Sequence, residues 1–161
     1  MNDIDEDELA EFIRTVAFSQ IKARHIKQVA KLLESPASGH EVIDIPNNYD
    51  DLLELPGVGP KIAHLVMNCA WKNVVGICVD THVHRISNRL GWVDTWNTKN
   101  PKAQGPQKTR QELQDWLPQE HWGQLNLLLV GLGQKVCFSR NPKCSECRLS
   151  HLCPSATKST I

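Results

Sequence analysis

Leu55-Pro56-Gly57-Val58-Gly59-Pro60-Lys61 is the stretch around which the rest of the chain falls into place. A short helix over Tyr49–Leu55, entered from the loop Ile45-Pro46-Asn47-Asn48, runs into Pro56-Gly57-Val58-Gly59. A second helix starts at Pro60, because proline lacks the N–H that a first helical residue leaves unbonded and its φ is already helical. Helix, tight glycine hairpin, helix is the result. Gly57, Val58 and Gly59 form a turn suited to close approach of a phosphate, since two glycines clear side chains away and leave backbone N–H groups at a helix N-terminus. An ordinary helix–helix connection is the plain alternative for those residues alone.

Lys61 falls in the first turn of the second helix, where the positive end of the helix dipole disfavours the ammonium and helps supply a neutral amine. A nucleophilic lysine needs that, although most lysines are simply surface charge. Asp80 stands behind the extended apolar run Val74–Val79. It can hold a cationic reaction species or relay protons, and it can equally serve as the N-cap of a helix through Leu90 that turns Val83, Ile86 and Leu90 inward.

Working outward, Leu9, Phe12, Ile13, Val16 and Ala17 recur at helical spacing, as do Ile21, Ile26, Val29, Ala30 and Leu33. Ser35-Pro36-Ala37-Ser38-Gly39 breaks that pattern. Ile62, Leu65, Val66 and Cys69 share a face of the helix after the hairpin, which ends near Trp71-Lys72-Asn73. Toward the C-terminus, Asn97–Lys108 reads as a surface loop, Thr109-Arg110-Gln111-Glu112 as a capping box, and Trp122–Leu132 as an apolar helix. No internal repeat or low-complexity tract interrupts this order.

The chain has 161 residues, 40% of them hydrophobic, enough to bury a core as one domain or two small ones. No run approaches the ~20 apolar residues of a membrane span, and the acidic N-terminus lacks the basic residues of a targeting segment. The formal net charge is zero, but six of the 18 acids lie within residues 1–11, leaving 12 acids against 18 Lys and Arg elsewhere. That surplus leans toward an anionic partner and is equally compatible with a solvated face.

Six cysteines without a secretory signal argue for metal or redox use over a disulfide framework. Cys69 and Cys78 sit among apolar neighbours, where a thiol acts as a small hydrophobe. Cys137, Cys144, Cys147 and Cys153 follow the pattern C-x6-C-x2-C-x5-C, which points to one metal centre; spacing and ligand type suit structural zinc or a [4Fe-4S] cluster alike. Ser139-Arg140-Asn141-Pro142-Lys143 lies between the first two ligands and offers Arg140 and Lys143 for phosphate contact, or simply as solvated charge.

Taken together, Leu55–Lys61, then Val79-Asp80-Thr81-His82-Val83-His84-Arg85, then the four-cysteine pattern resemble the endonuclease III family in order and separation, from about residue 8 to residue 154. Pro60 and His82-Val83-His84-Arg85 look like its eukaryotic branch. The resemblance implies an all-α, helix-hairpin-helix DNA glycosylase fold of two helical domains, residues 1–76 with the hairpin and 77–161 with a C-terminal [4Fe-4S] cluster loop held by the four cysteines. It also implies a preceding helical region, with a glutamine-bearing loop that fills the hole left by a flipped nucleotide; this chain has no counterpart of it.

The implied activity is bifunctional, a DNA N-glycosylase and AP lyase of base excision repair acting on oxidised pyrimidines. Lys61 matches the catalytic lysine that attacks C1′, and Asp80 the essential aspartate. The target base must be flipped out, the hairpin around Gly57 and Gly59 binds phosphate, and the cluster loop is structural and touches DNA. The implied partner is double-stranded DNA with oxidised pyrimidines or abasic sites, bound by a monomer in nucleus and mitochondrion and not at a membrane. A DNA-binding scaffold that has lost activity is the alternative, while a glycosylase without lyase action is disfavoured because such relatives lack a lysine at the position of Lys61.

Overall fold

The computed structural model describes residues 4–34, 44–96 and 105–156, which are helical, with no strand among them. They belong to two compact units, residues 1–63 and 64–161. The break of the pattern at 35–39 lies outside the described residues.

In the first unit, α1 (Glu6–Phe12) starts where the Asp5 carboxylate accepts from the Asp7 N–H at 2.9 Å. Glu6, Asp7 and Glu8 fill its first turn, where the positive end of the helix dipole favours them. Much of the acidic N-terminal run is therefore explained by one helix start. Leu9 and Ala10 of α1 bury against Ala23 of α2 (Ser19–Leu32), and Ile4, Ile13 and Ile26 close this small core.

The helical spacing from Leu9 to Ala17 is realised only as far as Phe12. Residues 13–18 are turns, and Phe18 takes a left-handed φ of 61° just before α2. A continuous helix would carry the chain away; the reversal lets α2 pack back on α1. Next comes α3 (Tyr49–Leu53), then α4 (Pro60–Cys69), whose residues from His64 onward belong to the second unit.

The second unit is organised by α5 (Thr81–Arg89), which packs against both α6 (Gly105–Trp116) and α7 (Trp122–Lys135). Its core joins Ile77, Val79, Val83, Ile86, Val93, Leu113, Leu125 and Leu129. The run 74–79 is extended, as its sequence suggests, and Ile77, Cys78 and Val79 are buried. Buried backbone needs hydrogen-bond partners, and with no neighbouring strand they come from side-chain amides. Gln114 Oε1 accepts from the Ile77 N–H at 3.2 Å, and Asn126 Nδ2 donates to the Cys78 carbonyl at 3.1 Å.

Two expectations fail here. Cys69 is exposed rather than buried, because it is the last residue of α4; Cys78 is buried as expected. Gly105–Lys108 is already helical, with 97–104 outside the described residues, so Thr109 lies inside α6 and does not cap it. Thr109 is fully buried, and its hydroxyl donates to the Gly105 carbonyl at 2.7 Å while meeting His84 Nδ1 at 2.7 Å and the Thr95 hydroxyl. The His84 ring stacks on Trp96 at 5.5 Å, and burial pushes its imidazole pKa down. A hydroxyl that looked like a cap bonds the carbonyl four residues back and ties α6 to α5.

Candidate nucleic-acid interface and cysteine pocket

The hairpin assembles from local rules. Asn48 caps α3, its side-chain oxygen accepting from the Asp51 N–H at 2.9 Å and its amide donating to the Asp51 carboxylate at 2.6 Å. The turn closes when the Val58 N–H donates to the Leu55 carbonyl at 3.0 Å, and α4 begins when the Ala63 N–H donates to the Gly59 carbonyl at 3.0 Å.

The two glycines serve different ends. Gly57 has φ +79°, a conformation that side chains resist, and a Cβ there would also collide with the His25 ring. A Cβ on Gly59 would meet nothing within 4 Å. Glycine at 57 is thus demanded by the fold, whereas glycine at 59 leaves open space for something outside the protein to come close. Lys61 is exposed in the first turn of α4, directly after this hairpin.

Asp80 belongs to the second unit, where it is half-buried and caps α5: Oδ1 accepts from the N–H groups of His82 and Val83, both at 2.9 Å. The carboxylate is thereby fixed in direction, and Oδ2 takes part in neither bond. Its charge also acts on Arg85. Burial lowers the Arg85 pKa, with repulsion from Arg89 adding to this, while Cys137 and Asp80 oppose it.

Cys137, Cys144, Cys147 and Cys153 are brought together around one cavity whose walls are otherwise mainly apolar, with Ile86, Leu90, Leu132 and Val136 among them. None of the four is in a disulfide. Among the described residues no three His, Cys, Asp or Glu side chains form a group that could hold a metal ion. Thiolates are soft donors, a ligand type that structural zinc and iron–sulfur clusters share.

Two arginines one helical turn apart hold the segment that starts at Cys137, and Arg89 also lines the hollow. Arg89 donates to the Phe138 carbonyl at 2.6 Å, the Ser139 carbonyl at 2.8 Å and the Cys137 sulfur at 3.3 Å. Arg85 donates to the Cys137 carbonyl at 2.8 Å, and the Cys153 thiol lies 3.4 Å from the Arg89 carbonyl. Asn141 turns the loop with φ 51°. Arg140 and Lys143 are both exposed; Lys143 also lines the cavity and pairs with Glu146 at 3.3 Å.

Sequence reasoning passed over Arg89 and His25. Their signal was faint: Arg85 and Arg89 are four apart on a helix whose other side is apolar, and His25 is one polar residue among several on α2.

A helix-hairpin-helix followed by a four-cysteine pocket defines a class, and the pattern of the HhH-GPD superfamily of base excision DNA repair proteins matches residues 1–119. The chain belongs to that superfamily. Within it, the relatives are endonuclease III proteins. Endonuclease III homolog 1, chloroplastic, of Arabidopsis thaliana is 50% identical over 97% of this chain and 40% of its own length. Endonuclease III-like protein 1 of Gallus gallus is 45% identical over 96% of this chain and 52% of its own. The chain thus spans about half, or less, of these relatives.

Solved structures agree with the fold. The non-covalent endonuclease III–DNA complex matches with a TM-score of 0.80 at 30% identity, covering 96% of this chain and 67% of that one. A trapped endonuclease III–DNA covalent intermediate matches with a TM-score of 0.77 at the same identity and coverage. No helix among the described residues is long and apolar enough to cross a membrane.

Proposed function

We propose that this chain acts as a bifunctional DNA N-glycosylase and AP lyase on double-stranded DNA containing oxidised pyrimidines or abasic sites. The observation that carries the reading is the exposed Lys61 in the first turn of α4, immediately after a hairpin closed around Gly57, in a chain similar to an endonuclease III that has been trapped covalently on DNA. The neutral Lys61 amine attacks C1′ of a flipped nucleotide, the glycosidic bond breaks, and the base leaves with the bonding electrons. Proton loss and sugar-ring opening give a Schiff base, and β-elimination cleaves the strand 3′ to the lesion. Water then releases the lysine.

Asp80 stabilises the cationic species along this path or relays its protons, with its direction fixed by the α5 cap. Gly57, Val58 and Gly59 hold phosphate. Cys137, Cys144, Cys147 and Cys153 hold a [4Fe-4S] cluster that orders its loop and leaves Arg140 and Lys143 facing the DNA backbone. The functional division falls after residue 76, with the hairpin domain before it and the cluster domain after it. We place the protein as a monomer in nucleus and mitochondrion, on its similarity to the eukaryotic branch.

The second reading is an inactive DNA-binding scaffold of the same fold. Borohydride trapping on a duplex with an abasic site separates the two. The parent chain is expected to form an adduct, Lys61→Gln to form none while still binding DNA, and Asp80→Asn to trap slowly. An adduct from Lys61→Gln at the parent rate overturns the mechanism, and no adduct from the parent favours the scaffold.

A further inference from the structure

His64 is buried, with 4% of its surface exposed, and stands three residues beyond Lys61 on α4. Arg110 of α6 meets its Nε2 at 2.9 Å. A guanidinium can only donate, so Nε2 accepts and bears no proton in this bond. The ring also crowds the run that leads to Asp80. Gly76 is buried against it, and a Cβ there would collide with the imidazole and lie 3.2 Å from Gln114 Oε1.

The same Gln114 oxygen accepts from the Ile77 N–H at 3.2 Å. One joint thus gathers His64 of α4, Gly76 and Ile77 of the extended run, and Arg110 and Gln114 one helical turn apart on α6, all within the second unit. Lys61 lies one turn before the joint on α4, and Asp80 four residues after Gly76. Placing an imidazole here, with a half-buried guanidinium on it, costs desolvation that an apolar side chain at 64 avoids. What the hydrogen bond adds is direction: it holds a narrow range of distance and angle, whereas apolar contact is non-directional.

We propose that His64 is a positioning residue for the reaction of Lys61 and Asp80: bonded to Arg110 and pressed on Gly76, it fixes the register of α4 on the run that ends at Asp80. The proposal rests on the lyase reading of those two residues. A covalent attack needs its reacting atoms aligned, and a misplacement of about 1 Å can cost about a hundredfold in rate. His64 itself touches no substrate in this role. Its loss therefore slows the chemical step and spares DNA affinity.

The experiment uses the full chain and two duplexes, at a temperature well below each variant's melting midpoint. One duplex carries an abasic site and is followed for strand cleavage with protein in saturating excess; the other carries an uncleavable abasic-site analogue and reads affinity by fluorescence anisotropy. His64→Leu should cleave about ten- to a hundredfold more slowly than the parent, with a Kd within about twofold. His64→Gln, whose amide oxygen can stand in for Nε2 as acceptor, should recover most of the rate. Arg110→Met leaves the ring in place and should slow cleavage too, and the double variant His64→Leu with Arg110→Met should be no slower than His64→Leu alone, because both break one bond. Where His64→Leu does not fold, Arg110→Met and His64→Gln carry the test.

Cleavage at the parent rate by His64→Leu or Arg110→Met, a His64→Gln as slow as His64→Leu, losses that add in the double variant, or affinity lost by His64→Leu in proportion to its rate overturns the positioning role and leaves the lyase reading standing. A parent that neither cleaves the abasic duplex nor forms an adduct overturns the lyase reading and the role of His64 with it.

Discussion

The hairpin and the cysteine loop are both short, and they are held in different ways. Asn48, Leu55, Gly57, Val58, Gly59 and Pro60 build the hairpin from contacts between near neighbours: a cap, a turn hydrogen bond, a left-handed glycine and a proline start. The cysteine loop has local turns as well, with the Lys143 N–H donating to the Val136 carbonyl at 3.0 Å and the Cys147 N–H to the Cys144 carbonyl at 3.2 Å, but it also depends on bonds from far along the chain. Its first turn hangs on Arg89, whose bonds to Cys137, Phe138 and Ser139 span 48 to 50 residues of sequence, and on Arg85, whose bond to Cys137 spans 52. A turn dictated by its own residues can be read from a motif; the anchoring of a loop by a distant helix cannot.

The largest test of that contrast is Arg89→Ala. It leaves two carbonyls and a sulfur without their donor, and each unpaired buried group costs roughly 1–3 kcal/mol. Partial exposure of the Ser139 contact reduces the sum. We expect a loss of about 2–4 kcal/mol on melting, together with a lower iron content per chain after anaerobic purification. Unchanged melting and iron content would show that the loop holds itself, and the comparison with the hairpin would collapse.

A smaller effect sharpens the other side. Gly57→Ala places a Cβ at φ +79° and onto the His25 ring, so strain of about 1–3 kcal/mol is expected, mainly in the first unit. Gly59→Ala enters open space and should change stability by less than about 0.5 kcal/mol. If phosphate approaches at residue 59, that same harmless methyl weakens DNA binding. Chemical denaturation and anisotropy on both variants separate the glycine the fold requires from the one the ligand requires. Equal destabilisation by the two substitutions counts against the distinction.

What could be read from the sequence follows the same line. The helix start at Pro60, the cap at Asp80, the inward Val83 and Ile86, and the extended run before Asp80 are near-neighbour or periodic signals, and the structure has them. The gathering of Cys137, Cys144, Cys147 and Cys153 around one hollow also followed from spacing. Thr109 misled because a hydroxyl three residues before a glutamate reads as a cap, and nothing local reveals that His84 and Thr95 claim it. Arg89 and His25 escaped notice because a charged or polar residue on a helix looks like solvated surface until its partner, dozens of residues away, is known.

The smallest expected effect concerns the exposed end of the cysteine loop. Arg140 and Lys143 are both exposed, but Lys143 is paired with Glu146 at 3.3 Å, whereas Arg140 forms no ion pair among the described residues. An exposed pair of this kind is worth at most about 1 kcal/mol, so it competes with a phosphate without preventing contact. Arg140→Ala should therefore weaken binding to all duplex sequences about equally and lower the salt slope by about one. Lys143→Ala should act in the same direction with a smaller loss, because part of its attraction is already spent on Glu146. Glu146→Gln frees the lysine and should raise affinity by about twofold at low salt, an increase that fades as salt screens the charges. Salt titrations of the three variants on one damaged and one undamaged duplex read all of this together. Unchanged slopes in both alanine variants would return the two residues to the role of solvated charge.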